Sequence, residues 1–287
     1  MVSLSGPRGS PLSCPVCGRP LARRGATYAC DAKHTFDVAR EGYVNLMLAQ
    51  HMHSRHPGDN GAMIDARARF LAAGYYRPVA DALINTIMTH LPTTRASVLV
   101  DAGCGEGYYL RRFSHTTVEA SLRQSVDTYG FDVSRYAIRR AARQEPSHTY
   151  AVASNHRLPL LDRSTDLLLS HFAPVDPEEF TRVLARDGTV ILGLPGPEHL
   201  YGLKTLVYST PVPHPSSDPL ASCPSLSVIA SREVRFDLTI ADAQHVADLL
   251  AMTPFYWSAS PATQEALKRR SNLHTPIHII IKSYRRG

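Results

Sequence analysis

A chain of 287 residues with 44% hydrophobic content can bury one large core, or a large and a small one. No apolar run approaches the roughly 18 residues of a membrane span, and the first 13 residues, MVSLSGPRGSPLS, lack the apolar stretch of a signal peptide, so a soluble protein in the reducing cytoplasm is expected. Five cysteines, mostly bunched, argue against a disulfide framework, and a net charge of +6 is compatible with a polyanionic partner without specifying one.

The first element is a metal cluster. Cys14, Cys17, Cys30 and His34 follow the spacing C-x2-C-x12-C-x3-H, two short ligand pairs joined by a spacer. A pair on a tight turn can aim both donor atoms at one ion, and thiolate with imidazole suits tetrahedral zinc. Four protein ligands leave no open coordination position, which points to a structural ion that staples a segment too short to fold on its own core. Arg19, Arg23, Arg24 and Lys33 give this module a basic face able to touch phosphate. Residues 49 to 61, AQHMHSRHPGDNG, read as a polar linker, so the expected domains are 1–48 for zinc binding and 62–287 for the larger unit.

Beyond the linker, IDARARFLAAG reads as a helix stopped by Gly74, and Pro78 opens a second with Val79, Leu83, Ile84, Ile87 and Leu91 on one face. From residue 97 strands and helices alternate: strand SVLVDAG, helix YYLRRF, strand TYGFDVS, helix RYAIRRAARQ capped by Ser134, strands TYAVAS and DLLLSHF, helix PEEFTRVLA, strand TVILGL. That order predicts an α/β fold with a parallel sheet and right-handed crossovers. The tail, strand VRFDLTI, helix DAQHVADLLAM and strand IHIIIKSY, is expected to complete one sheet edge. Residues 209 to 227, with five prolines, read as a long loop.

The chemistry concentrates where VLVDAGCGEGYYL places Asp101 at a strand end, before Gly103, Gly105 and Gly107 at a helix start. Glycines let the backbone turn sharply and approach a ligand. A second acid, Asp132, ends the next strand where a ribose diol would be gripped. A nicotinamide dinucleotide remains an alternative, but G-x-G-x-G departs from its G-x-G-x-x-G pattern and Glu106 would oppose a phosphate. S-adenosylmethionine carries an ammonium and a sulfonium and tolerates Asp101 and Glu106 nearby. Loops after the next two strands, Ser154 to Pro159 and His171 to Pro174, should border the adenine and the methyl acceptor, with Asn155 and His156 on the adenine side.

CPVCGRPL, HTFDVAREGYVNLM, SRHPGDNGAMIDARARFLAAGYY, VDAGCGEGYYL, GFDVSRYAIRRAA, VASNHRLPL, FAP and MTPFYW together resemble the bacterial 23S ribosomal RNA guanine-N1 methyltransferases. The resemblance implies a Rossmann-like class I methyltransferase domain behind a zinc-ribbon-like domain. It implies methyl transfer from S-adenosylmethionine to N1 of a guanine in the helix 35 hairpin of 23S rRNA, and SRHPGD with GCGEGYY looks closer to the branch acting at position 745 than to the macrolide-resistance branch acting at 748. It also implies a homodimer.

By the same resemblance Cys14, Cys17, Cys30 and His34 are the zinc ligands, and Asp101, Gly103, Gly105, Tyr108, Asp132, Asn155 and His156 surround the donor. Arg40, Tyr43, Arg55 and Asp59 lie in matching blocks and are candidates for RNA contact. The proton on guanine N1 needs an acceptor; His171 and Asp59 are the candidates, and the catalytic base is otherwise unassigned. Tyr108, Phe172, Tyr256 and Trp257 are candidate stacking surfaces for a splayed-out base. A methyltransferase for a small metabolite and a non-catalytic donor-binding protein are the competing readings.

Overall fold

The computed structural model describes residues 9–51, 58–92, 95–119, 126–215 and 217–286. At the amino end three short antiparallel strands, β1 (Ala22–Arg24), β2 (Thr27–Ala29) and β3 (Thr35–Asp37), form a small sheet. The chain then enters a second sheet through β4 (Val44–Asn45) and continues into helices α1 (Gly61–Ala72) and α2 (Arg77–His90). Asn60 caps α1 by accepting from the Met63 N–H at 3.1 Å, and proline at the start of α2 costs no hydrogen bond there.

The larger unit alternates as the sequence predicts: β5 (Ser97–Ala102), α3 (Tyr108–Glu119), β6 (Val126–Asp132), α4 (Arg135–Gln144), β7 (Thr149–Val152), β8 (Thr165–His171), α5 (Pro177–Val183) and β9 (Leu184–Pro195). Then come α6 (Tyr201–Val207), β10 (Leu226–Ile240), α7 (Ala243–Ala251), the short α8 (Phe255–Ser258), α9 (Pro261–Lys268) and β11 (Leu273–Arg286). The eight strands run in the order β10-β11-β9-β8-β5-β6-β7-β4. From β4 to β9 the pairs are parallel, and β11 joins antiparallel between β9 and β10. This is the Rossmann-like arrangement of class I methyltransferases with a mixed sheet. β5 and β8 are buried at every residue, as central parallel strands covered on both faces must be. Pro276 is tolerated in β11 because pairing with β9 begins only at Ile279, so its missing N–H breaks no ladder on that side.

Alternate residues of the sheet feed two cores. Leu99, Leu167, Leu169 and Ile191 meet α2, α3, α4 and α7 on one face. Val98, Val100, Leu168 and Val190 face the other way, against Phe180 and Val183 of α5 and against Leu12, Leu21 and Tyr28 of the metal module. The module is therefore part of the covering layer of the sheet. Its first segment is hydrogen-bonded to the loop after β7: the Ser13 N–H donates to the Pro159 carbonyl and the Leu161 N–H to the Pro11 carbonyl, each at 2.8 Å.

This differs from a cut after residue 48. β4 pairs with β7 through Val44↔Ala151 and Asn45↔Val152, and the Glu41 carboxylate pairs with Arg143 of α4 at 2.9 Å. Val44 and Asn45 are strand residues of the larger sheet. The linker's carboxyl end is also docked, with the Ser134 hydroxyl donating to the Asp59 carbonyl at 2.7 Å. The tail hairpin of β10 and β11 is longer than the sequence suggested, and α6, α8 and α9 were not anticipated.

Candidate active site and metal centre

The four metal-ligand candidates converge. Their donor atoms all lie within 4.8 Å of one another. Each pair sits on a knuckle closed by a left-handed residue: the Gly18 N–H donates to the Cys14 carbonyl with Gly18 at φ 72°, and the Lys33 N–H donates to the Cys30 carbonyl with Lys33 at φ 64°. Zn–S bonds of about 2.3 Å and Zn–N bonds of about 2.0 Å in a tetrahedron require S···S edges of about 3.8 Å and S···N edges of about 3.5 Å. Cys17 Sγ and Cys30 Sγ are 3.8 Å apart, and His34 Nδ1 is 3.5 Å from both Cys14 Sγ and Cys30 Sγ. The residues fit a structural zinc ion. Arg23, Arg24 and Lys33 are exposed on the module, and Arg19 is paired with Asp31 at 3.2 Å.

The glycine turn lies where the strand order reverses between β5 and β8, the place at which open α/β sheets bind ligands. Gly103 and Cys104 both donate to the Phe131 carbonyl, which pins the turn to the end of β6. Gly103 has φ 87°, and a Cβ there would lie 2.2 Å from the Ala173 Cβ, so only glycine fits between the turn and the loop after β8. Gly105 and Gly107 are left-handed too. Asp101 is 1% exposed and its Oδ2 has no hydrogen-bond partner. Burial, reinforced by the neighbouring Asp132 carboxylate, pushes Asp101 up to about 8. Asp132 accepts from the Gly105 N–H at 2.9 Å and the Ser134 N–H at 2.7 Å, which fixes its carboxylate; burial raises its pKa. Each oxygen keeps a lone pair, enough to accept from a diol. An unpaired buried carboxylate oxygen suits an ammonium group, so this turn fits S-adenosylmethionine.

Other expected donor-site residues are placed differently. Glu106 is buried against Arg111, whose Nη2 contacts both carboxylate oxygens at 3.1 and 3.0 Å. With Tyr108 it lines a separate cleft of about 160 Å³ beside Arg112 and Arg140, so its charge is committed to the protein. Asn155 is buried and donates from Nδ2 to the Pro174 carbonyl at 2.9 Å, tying the loop after β7 to the loop after β8. His156 is exposed and contacts Asp176 at 3.1 Å.

The candidates for base and RNA contact also separate. His171 is buried with Nδ1 3.2 Å from the Gly193 carbonyl and Nε2 unpartnered, and burial lowers it to about 4, so its imidazole is neutral. Asp59 pairs with Arg67 Nη2 at 2.5 Å. Tyr43 is 3% exposed and its hydroxyl accepts from Arg135 Nε, which removes it from RNA contact. Arg40 is exposed, and Arg55 lies outside the described residues. Tyr256 is half-buried, whereas Trp257 and Phe172 are exposed.

Arg67 was not anticipated. One guanidinium nitrogen lies 3.7 Å from where a Cβ on Gly105 would sit, and Nη2 also donates to the Met252 carbonyl at 3.4 Å. It thus joins α1, the end of α7 and the glycine turn. The available signal was its place in the block that also holds Asp59, two helical turns from the cap. A ring series beginning at the end of β8 was equally invisible: His171 to Phe172 at 4.1 Å, Phe172 to His199 at 5.2 Å and His199 to His214 at 6.0 Å between centroids.

Comparison with known proteins agrees with these two halves. A family model described as "RlmA, N-terminal" matches residues 12–55, and one described as "Methyltransferase domain" matches residues 100–192. A 23S rRNA (guanine(748)-N(1))-methyltransferase of Streptomyces fradiae is 32% identical over 87% of this chain and 87% of its own length. A Micromonospora griseorubida protein, provisionally named a 23S rRNA (guanine-N(1)-)-methyltransferase, is 38% identical over 67% of this chain and 68% of its own. Bacillus subtilis YxjB, provisionally named in the same way, is 30% identical over 93% of this chain and 94% of its own. With a zinc ribbon docked on a class I methyltransferase sheet and relatives of this extent, the chain belongs to the 23S rRNA (guanine-N1)-methyltransferase family.

Proposed function

We propose that this enzyme transfers a methyl group from S-adenosylmethionine to N1 of a guanine in the helix 35 hairpin of 23S rRNA, at the position numbered 748. The observation that carries the reaction is the docking of the zinc module on the loop after β7, the loop that also carries Asn155, through the Ser13–Pro159 and Leu161–Pro11 hydrogen bonds. That docking brings Arg23, Arg24 and Lys33 to the molecule that holds the donor, so phosphate contacts could fix the RNA while the sheet does the chemistry. Position 748 is supported by the name of the Streptomyces fradiae relative, which spans most of both chains. The SRHPGD and GCGEGYY blocks favour position 745, the second reading.

The donor supplies an electrophilic methyl group on sulfonium. The residues around it hold and align: Asp132 is set to grip the ribose, Asp101 to meet the ammonium, and Arg67 to meet the carboxylate. His171 is held near 4 by burial, which leaves it a weak base, and Asp59 is paired with Arg67; as N1 bonds the methyl carbon and the S–C bond breaks, the N1 proton passes to solvent water. Alignment of the two reactants, worth about 7–11 kcal/mol in favourable cases, must therefore carry most of the acceleration.

A methyl on N1 blocks the pairing edge of guanine, so reverse transcription stops beside it. Primer extension on unmodified 23S rRNA treated with the enzyme is expected to stop one nucleotide 3′ of position 748. A stop marking position 745 instead would overturn the position, and no new stop anywhere in 23S rRNA would overturn the RNA reading altogether.

A further inference from the structure

Phe172 follows the last residue of β8 and is 47% exposed. Its backbone is left-handed, with φ of 55°, a conformation that disfavours a bulky side chain and persists only where surroundings impose it. Here they do. The Gly193 carbonyl accepts from the Phe172 N–H and lies within hydrogen-bond reach of His171 Nδ1, each at 3.2 Å. A Cβ on Gly193 would lie 2.1 Å from that imidazole, so glycine in β9 is what leaves room for the His171 ring. The ring packs beside His171 at 4.1 Å, tilted 36°, and His199 at 5.2 Å, tilted 32°. The next residue, Ala173, is the one that abuts Gly103 of the donor turn.

An apolar ring is thus forced into solvent, at a backbone cost, one residue from the donor turn and backed by two rings that limit its motion. Placing glycine here would remove the backbone cost. Trp257 is more exposed at 70%, but its described ring contact is with Tyr256 in α8, not with the turn.

We propose that Phe172 is the platform on which the target guanine stacks after it leaves the hairpin, holding its pairing edge towards the methyl donor. This rests on the rRNA guanine reading above. Stacking on an aromatic side chain is sequence-tolerant, so Phe172 would position the base and leave its selection to the surrounding RNA.

The test uses the full-length zinc-bound protein and a helix 35 hairpin carrying 2-aminopurine beside the target guanine, whose fluorescence rises when stacking in the RNA is lost. Phe172→Ala is expected to lower the single-turnover methylation rate by about 10- to 100-fold, the range of one base–aromatic stack, and to abolish the fluorescence rise. Its donor Kd should match that of the unsubstituted protein. Phe172→Tyr should restore the rate to within about threefold, because the π-face is kept. Phe172→Leu keeps bulk without the π-face and should be as slow as alanine. A leucine variant at full rate, or an alanine variant with full rate and fluorescence, would overturn the platform while the unsubstituted enzyme still methylated the hairpin. Failure of the unsubstituted enzyme to methylate any 23S rRNA would overturn the rRNA reading itself, and the platform with it.

Discussion

Asp101→Asn is expected to remove most of the methyl-donor affinity while making the donor-free protein more stable. The carboxyl group is 1% exposed, has an oxygen without a partner, and sits beside Asp132. Loss of one charge-assisted hydrogen bond to an ammonium, worth about 1.5–3 kcal/mol, raises the donor Kd by roughly 10- to 100-fold. The stability effect has the opposite sign. In the unfolded chain an aspartate releases its proton near pH 4, whereas the folded protein retains it up to about 8. Between those limits the folded state binds the extra proton, so stability falls as pH rises, and the fall levels off above the folded pKa. Asparagine does not titrate and escapes that loss. The melting temperature of the variant should exceed that of the parent by about 5 °C at pH 8, with the gap closing towards pH 4. Isothermal titration with the donor and thermal scans at several pH values check both halves. A gap that does not change with pH would mean that Asp101 is not the strained acid described.

Cys14→Ser is expected to expel the zinc ion and to reduce methylation of rRNA by at least about 100-fold, with only a few-fold rise in donor Kd. Cys14 is one of four ligands, and structural zinc supplies most of the folding free energy of so small a module. Its loss frees the basic face from its fixed position. The donor effect is smaller because the glycine turn is pinned independently to the Phe131 carbonyl. It is not zero, since Ser13 and Pro11 support the loop that carries Asn155. Metal content, donor titration and binding of a 23S rRNA fragment separate the contributions. Undiminished RNA affinity in the zinc-free variant would refute the positioning role of the module.

How much could be read in advance follows from the range of the interactions. The zinc ligands were legible because each knuckle closes within five residues, and the glycine turn because Asp101 and Asp132 stand at the ends of β5 and β6 and Gly103 follows directly after β5. The alternation from β5 to β9 was legible because each strand carries a short apolar run, such as VLV in β5, LLL in β8 and VILGL in β9, set between helical or turn-forming segments. Long-range packing was not. β4 is two residues long, and nothing in Val44–Asn45 announces that it will pair with β7. α6 begins after a left-handed Leu200 without a side-chain cap, so it carries none of the usual start signals. Glu106 looked like a donor contact because it lies between two glycines, yet α3 brings Arg111 to it. Tyr43 looked like an RNA contact because of its motif, yet its hydroxyl meets Arg135 at the start of α4.

Presentation of a 23S rRNA guanine by a zinc-held front end to a methyl donor lodged at the Asp101–Gly107 turn is tested most directly by incubating zinc-replete protein with methyl-labelled S-adenosylmethionine and unmodified 23S rRNA, followed by digestion to nucleosides and chromatography. Label is expected in 1-methylguanosine, approaching one per RNA molecule. Label in any other nucleoside, or none in the RNA while the donor remains bound and intact, would contradict it.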